Sequence, residues 1–116
     1  MGLSTHVLDT MHGSPAAGMA VELYATQGEN STLLKRFVTN ADGRSEGLLL
    51  DSASLQVGTY RLTFDVKGYF KAHGVALPEP NFLHRVSLDF GIADPRQHYH
   101  VPLLVSPWSY STYRGS

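Results

Sequence analysis

Apolar and polar residues alternate with period two along most of this chain, in short runs broken by turn residues. This is the pattern of half-buried strands packed as a sandwich or barrel. Met19, Val21, Leu23 and Ala25 share one face, and Ala20, Glu22, Tyr24 and Thr26 the other. The turn before them is supplied by Gly13-Ser14-Pro15 and Gly18. Leu33 to Thr39 reads as a further strand, closed by the turn Asn40-Ala41-Asp42-Gly43. The cleanest one-sided strand is Tyr60, Leu62, Phe64 and Val66 against Arg61, Thr63 and Asp65. Tyr69 to His73 fits one short helical turn ended by Gly74, and Pro78-Glu79-Pro80-Asn81 reads as a loop. Val86, Leu88 and Phe90 mark the next strand. Gln97 to Ser106 forms a long one, and Pro107 turns the chain into a last strand, Tyr110 to Ser116. The pattern predicts an all-β fold of seven to eight strands with one short helix. It shows no repeat, linker or low-complexity segment.

Length fits this reading. A chain of 116 residues is expected to be a single domain over residues 1–116, since a second core would lack material. So many strands in so small a unit leave exposed edges, and edge pairing with another copy is one way to cover them. The formal charge of −1, with nine scattered Lys and Arg residues, gives no footprint for nucleic acid or an anionic membrane. Small molecules or protein chains are the expected partners. No apolar run reaches the roughly 20 residues that span a bilayer, and Met1 to Thr5 lacks the start of a secretory signal. A cytoplasmic location is the expectation. The absence of cysteine removes thiolate catalysis and cysteine zinc sites.

Chemistry concentrates in three places. In Gln97 to Val105, Tyr99, Val101, Leu103 and Val105 lie on one face, and His98, His100, Pro102 and Leu104 on the other. If the first set is core, both histidines point away from it. Three readings stay open for them: surface histidines without a task, a zinc or copper pair, and acid–base catalysis. The metal reading lacks a third ligand at matching spacing. His6, in Leu3-Ser4-Thr5-His6-Val7-Leu8-Asp9, says little by itself. Arg44, after Asp42-Gly43, is either a solvated charge or a fixed cation for an anionic or carbonyl-rich ligand. Tyr113, Arg114, Gly115 and Ser116 put a phenol, a guanidinium, a hydroxyl and a carboxylate into the last four positions, an expected working end. His12, His73 and His84 lie beside turns and receive no role.

Taken together, these stretches resemble the transthyretin-like proteins, and within them the 5-hydroxyisourate hydrolases. The resemblance spans nearly the whole chain. It rests on the Leu3–Asp9 stretch, Asp42-Gly43-Arg44, His98-Tyr99-His100-Val101-Pro102-Leu103-Leu104, Ser106-Pro107 and Tyr110-Ser111-Thr112-Tyr113-Arg114-Gly115-Ser116. The final Tyr-Arg-Gly-Ser is the specific part, because the hormone carriers of this family lack it. Trp108 stands where a smaller aromatic is expected. The resemblance implies a transthyretin-like two-sheet sandwich, a homotetramer with a central channel, and active sites at a subunit interface. It implies hydrolysis of 5-hydroxyisourate to 2-oxo-4-hydroxy-4-carboxy-5-ureidoimidazoline without metal or cofactor. The positions carried over as catalytic are His6, Arg44, His100 and Ser116. Substrate contacts fall to His6, Arg44, Tyr113, Arg114 and Gly115. His100 is chosen over His98 because it directly precedes Val101-Pro102, and His98 shares its face in a supporting place. The alternative is a small-molecule carrier with the same sandwich, against which a channel lined by imidazole and guanidinium argues, since an apolar ligand would have to desolvate them.

Overall fold

The computed structural model describes residues 2–115. Two sheets face each other. The first contains β1 (Gly2–Asp9), β2 (Ser14–Pro15), β5 (Leu50–Asp51), β8 (Tyr99–Ser106) and β9 (Ser109–Thr112), in the order β2-β1-β8-β9 with β5 also on β1. The second contains β3 (Ala20–Gln27), β4 (Asn30–Val38), β6 (Gly58–Phe64) and β7 (Val86–Ile92), in the order β4-β3-β6-β7. One helix, α1 (Val66–Ala72), follows β6. Seven of these strands have four residues or more, in agreement with the alternation. The two-residue segments β2 and β5 are additions to it, Ser14 and Pro15 pairing with β1 where the sequence pattern indicates only a turn.

Alternation sets the core. Leu3 and Val7 of β1 and Leu103 and Val105 of β8 meet Val21, Leu23, Leu62 and Phe64 of the second sheet, all fully buried. Val66, Tyr69 and Phe70 of α1 join them. Val66 thus corrects the strand expectation. The Asp65 side chain accepts from the Gly68 amide at 3.0 Å and caps a helix that begins at Val66. One residue earlier the chain is still leaving the sheet. Val66 is buried in either conformation, so its apolar character could not separate the two.

The pairing that matters most for function is β1 with β8. It is parallel, with Leu3 opposite Tyr99, Ser4 opposite His100, Thr5 opposite Val101 and His6 opposite Pro102. Odd-numbered residues of both strands face the core, so Ser4, His6 and His100 share the outer face, and His98, just before β8, joins them through its contact with Ser4. The Thr5 hydroxyl, itself buried, donates to the Val101 carbonyl at 2.6 Å and ties the two strands together from the inside. Asp9 closes the strand with a buried carboxylate that accepts from the His12 amide at 2.9 Å, the His12 ring at 2.5 Å and the Tyr69 hydroxyl at 2.7 Å. Burial pushes its carboxyl up, but the bonds from His12 and Tyr69 outweigh this and hold it below the usual carboxylate range. Among the described residues, no helix is long and apolar enough to cross a membrane.

Candidate active site

His100 is the centre of the outer face. Its Nδ1 lies 2.8 Å from Ser4 Oγ, and the same oxygen lies 3.0 Å from His98 Nε2. Burial lowers the basicity of His100, and the neighbouring positive charges of Arg44, His6 and His98 lower it further. Three groups named from the sequence, His6, Arg44 and His98, therefore act on His100. The result is an imidazole biased to stay neutral, and so able to accept a proton near neutral pH.

Arg44 reaches this place through backbone architecture. The Asn40 side chain accepts from the amides of Asp42 at 2.9 Å and Arg44 at 3.1 Å, and the Asn40 amide donates to the Arg44 carbonyl at 2.8 Å. This knot is docked on β1 by a bond from the Val7 amide to the Gly43 carbonyl, 2.8 Å. Gly43 has φ +75°, and a Cβ there would stand 2.4 Å from the Val7 carbonyl oxygen. Only glycine permits both the conformation and the approach. The guanidinium is exposed in the single chain.

The tail folds back along β8. The Gly115 amide donates to the His100 carbonyl at 2.7 Å, and a Cβ on Gly115 would lie 2.8 Å from His100 Cδ2. Gly115 thus packs on the imidazole itself. Arg114 holds the strand behind it, donating to Gln97 Oε1 at 3.0 Å and the His98 carbonyl at 3.1 Å, with its guanidinium carbon 4.2 Å above the Tyr99 ring. Tyr113 and Arg114 line an apolar groove of about 320 Å³ with Tyr99, Val101, Leu88 and Phe90, between the open edges of β9 and β7. Within one chain this groove is distinct from the histidine face. Ser116 lies outside the described residues. Among the described residues, no group of three or more His, Cys, Asp or Glu side chains is arranged to hold a metal ion.

The model of the HIUase/Transthyretin family matches residues 3–115. The chain belongs to the HIUase/Transthyretin family. Within it, this chain is 53% identical over 114 residues to "5-hydroxyisourate hydrolase 2" of Rhizobium meliloti (strain 1021), covering 98% of this chain and 95% of that protein. Among solved structures, it superposes with a TM-score of 0.91 on (S)-allantoin synthase, 47% identical, covering 99% of this chain but only 43% of the other. Sea bream transthyretin in complex with thyroxine matches with a TM-score of 0.86 at 28% identity, covering 99% of this chain and 95% of that one. The same sandwich is therefore shared with both of these structures.

Two features escaped the reading from residues alone. Ser4 was visible as a neighbour of His6 in parity, but only the parallel register brings it between His98 and His100. His12 received no role, yet it is bonded to the buried Asp9. The pair stands at positions i and i+3, a spacing that could have drawn notice.

Proposed function

We propose that this chain hydrolyses 5-hydroxyisourate, opening a ring amide to give 2-oxo-4-hydroxy-4-carboxy-5-ureidoimidazoline in urate degradation. The observation that carries the reading is the cluster about His100, set in a chain 53% identical to a hydrolase of that name. Neutral His100, with His6, orients a water and takes its proton as the oxygen attacks the carbonyl carbon. Arg44 holds the charge that gathers on the carbonyl oxygen. The C–N bond then breaks, and the proton passes to the leaving nitrogen. Tyr113, Arg114 and Gly115 shape the substrate's surroundings, and Ser116 offers a hydroxyl for a hydrogen bond. Neither metal nor cofactor takes part.

An open sheet face cannot exclude water from this reaction. Ser4, His6, Leu8, His98, His100 and Leu104 are each only half-buried in the single chain. A second copy laid on this face would close it, which supports a homotetramer with sites at a subunit interface. The chain acts as one domain, residues 1–116, in the cytoplasm. The test is the ultraviolet decay of freshly generated 5-hydroxyisourate with and without protein. Acceleration that survives chelator, from a protein of tetrameric mass, is the expected result. No acceleration, with tight binding of an apolar aromatic ligand, would overturn it in favour of the carrier.

A further inference from the structure

We propose that Ser4 and His98 are positioning residues that form a proton relay behind His100. The proposal rests on the reading above, in which His100 handles the proton of the attacking water. A serine hydroxyl has one proton to give. With Ser4 Oγ 2.8 Å from His100 Nδ1 and 3.0 Å from His98 Nε2, it can donate to only one ring and accepts from the other. The tautomers of the two histidines are therefore linked. In one state His100 Nδ1–H donates to Ser4, Ser4 donates to His98 Nε2, and His100 Nε2 keeps its lone pair. That is the form of a base.

The step balances without any other reactant. Water's proton goes to His100 Nε2, the Nδ1 proton moves to Ser4 Oγ, and the Ser4 proton moves to His98 Nε2. His98 becomes the cation, and His100 is left neutral with a proton on Nε2. When that proton passes to the leaving nitrogen, the relay runs backward and restores the starting state. His100 faces Arg44 from the 40–44 loop, His6 from β1 and His98 from just before β8, and burial, the Arg44 charge and repulsion from any proton taken up by His6 or His98 disfavour a cation on it. Among the described residues no carboxylate is bonded to either ring. Moving the charge to His98 relieves the ring that is packed under Gly115. The His98 backbone is held for this by Arg114.

The test uses the whole protein and 5-hydroxyisourate, with Ser4→Ala, Ser4→Thr, His98→Gln, the double variant Ser4→Ala/His98→Gln, and His100→Ala as the reference. Ser4→Ala and His98→Gln should each lower kcat by about 10- to 100-fold, a share of what general acid–base help supplies, with KM within about threefold. Because both act through one path, the double variant should be no worse than the poorer single within about twofold. Ser4→Thr, which keeps the hydroxyl, should recover to within about threefold of wild type. A plot of kcat against deuterium fraction should bow in the wild type, where several protons move, and become straight in Ser4→Ala. If His100→Ala loses activity while Ser4→Ala and His98→Gln stay within twofold of wild type, the relay fails and the site reading stands. A multiplicative double variant or a straight wild-type plot also overturns the relay. A wild type or His100→Ala protein that shows the site reading itself to be wrong takes the relay with it.

Discussion

Gly43→Ala separates the geometry of the site from its chemistry. At φ +75° an L side chain costs about 1–2 kcal/mol. The new Cβ would also stand 2.4 Å from the Val7 carbonyl oxygen and 3.2 Å from the Ala16 amide nitrogen. Those two atoms form one backbone hydrogen bond, Ala16 amide to Val7 carbonyl at 2.9 Å, and the adjoining Val7 amide to Gly43 carbonyl bond, 2.8 Å, is made by the substituted residue itself. Losing or weakening them costs about 1 kcal/mol each. The total is about 2–4 kcal/mol, which at about 4 °C per kcal/mol lowers Tm by about 8–16 °C. The disturbance falls next to Arg44, so kcat/KM for 5-hydroxyisourate should drop by about tenfold or more. Gly47→Ala is the control: its φ is +84°, but a Cβ there meets nothing within 4 Å. It should show the conformational cost alone and keep its activity. Thermal melts and initial rates on both variants decide the matter. A Gly43→Ala protein that melts within about 3 °C of wild type, with kcat/KM within twofold, refutes the docking argument.

Other outcomes follow from the same structure. Arg44→Gln removes a cation beside His100, so the acid limb of kcat/KM should move to higher pH; an unmoved limb contradicts the proposed coupling. Wild type should keep its activity below the ordinary imidazole pKa of about 6.5 until His100 takes a proton. Asp9 has a depressed folded pKa, so its stabilisation is complete above the ordinary carboxylate value of about 4 and is lost as pH falls through the folded value. Melts from about pH 7 to 3 should show a fall in Tm at the acid end that is smaller in Asp9→Asn. Tyr69→Phe takes one donor from that carboxylate and should cost about 1–3 kcal/mol in denaturant unfolding. Gly115→Ala forces the tail away from the His100 ring and should lower kcat about tenfold with Tm nearly unchanged.

Much of this site could be read from parity alone. Once Leu3, Val7, Leu103 and Val105 are taken as core, His6, His98 and His100 must face outward, and they do. Parity says nothing about which strands are neighbours. The contact between Ser4 and His100 joins residues 96 apart and depends on a parallel register that no local pattern encodes. The same limit hid the Asp9 carboxylate, whose Tyr69 partner comes from α1. Tyr113 and Arg114 fit an alternating strand as well as a working end, yet β9 stops at Thr112 and a single rung at Gly115 returns the tail to β8. Strands of two residues, such as β5, are too short for any periodicity to mark.

The central claim is that His6 and His100 handle the proton of the attacking water. Its most direct test is the initial rate of 5-hydroxyisourate disappearance with His6→Ala and His100→Ala proteins whose folding has been verified by circular dichroism. Each should fall by at least tens of fold, as expected when an acid–base group is removed. Rates close to wild type in both variants would contradict it.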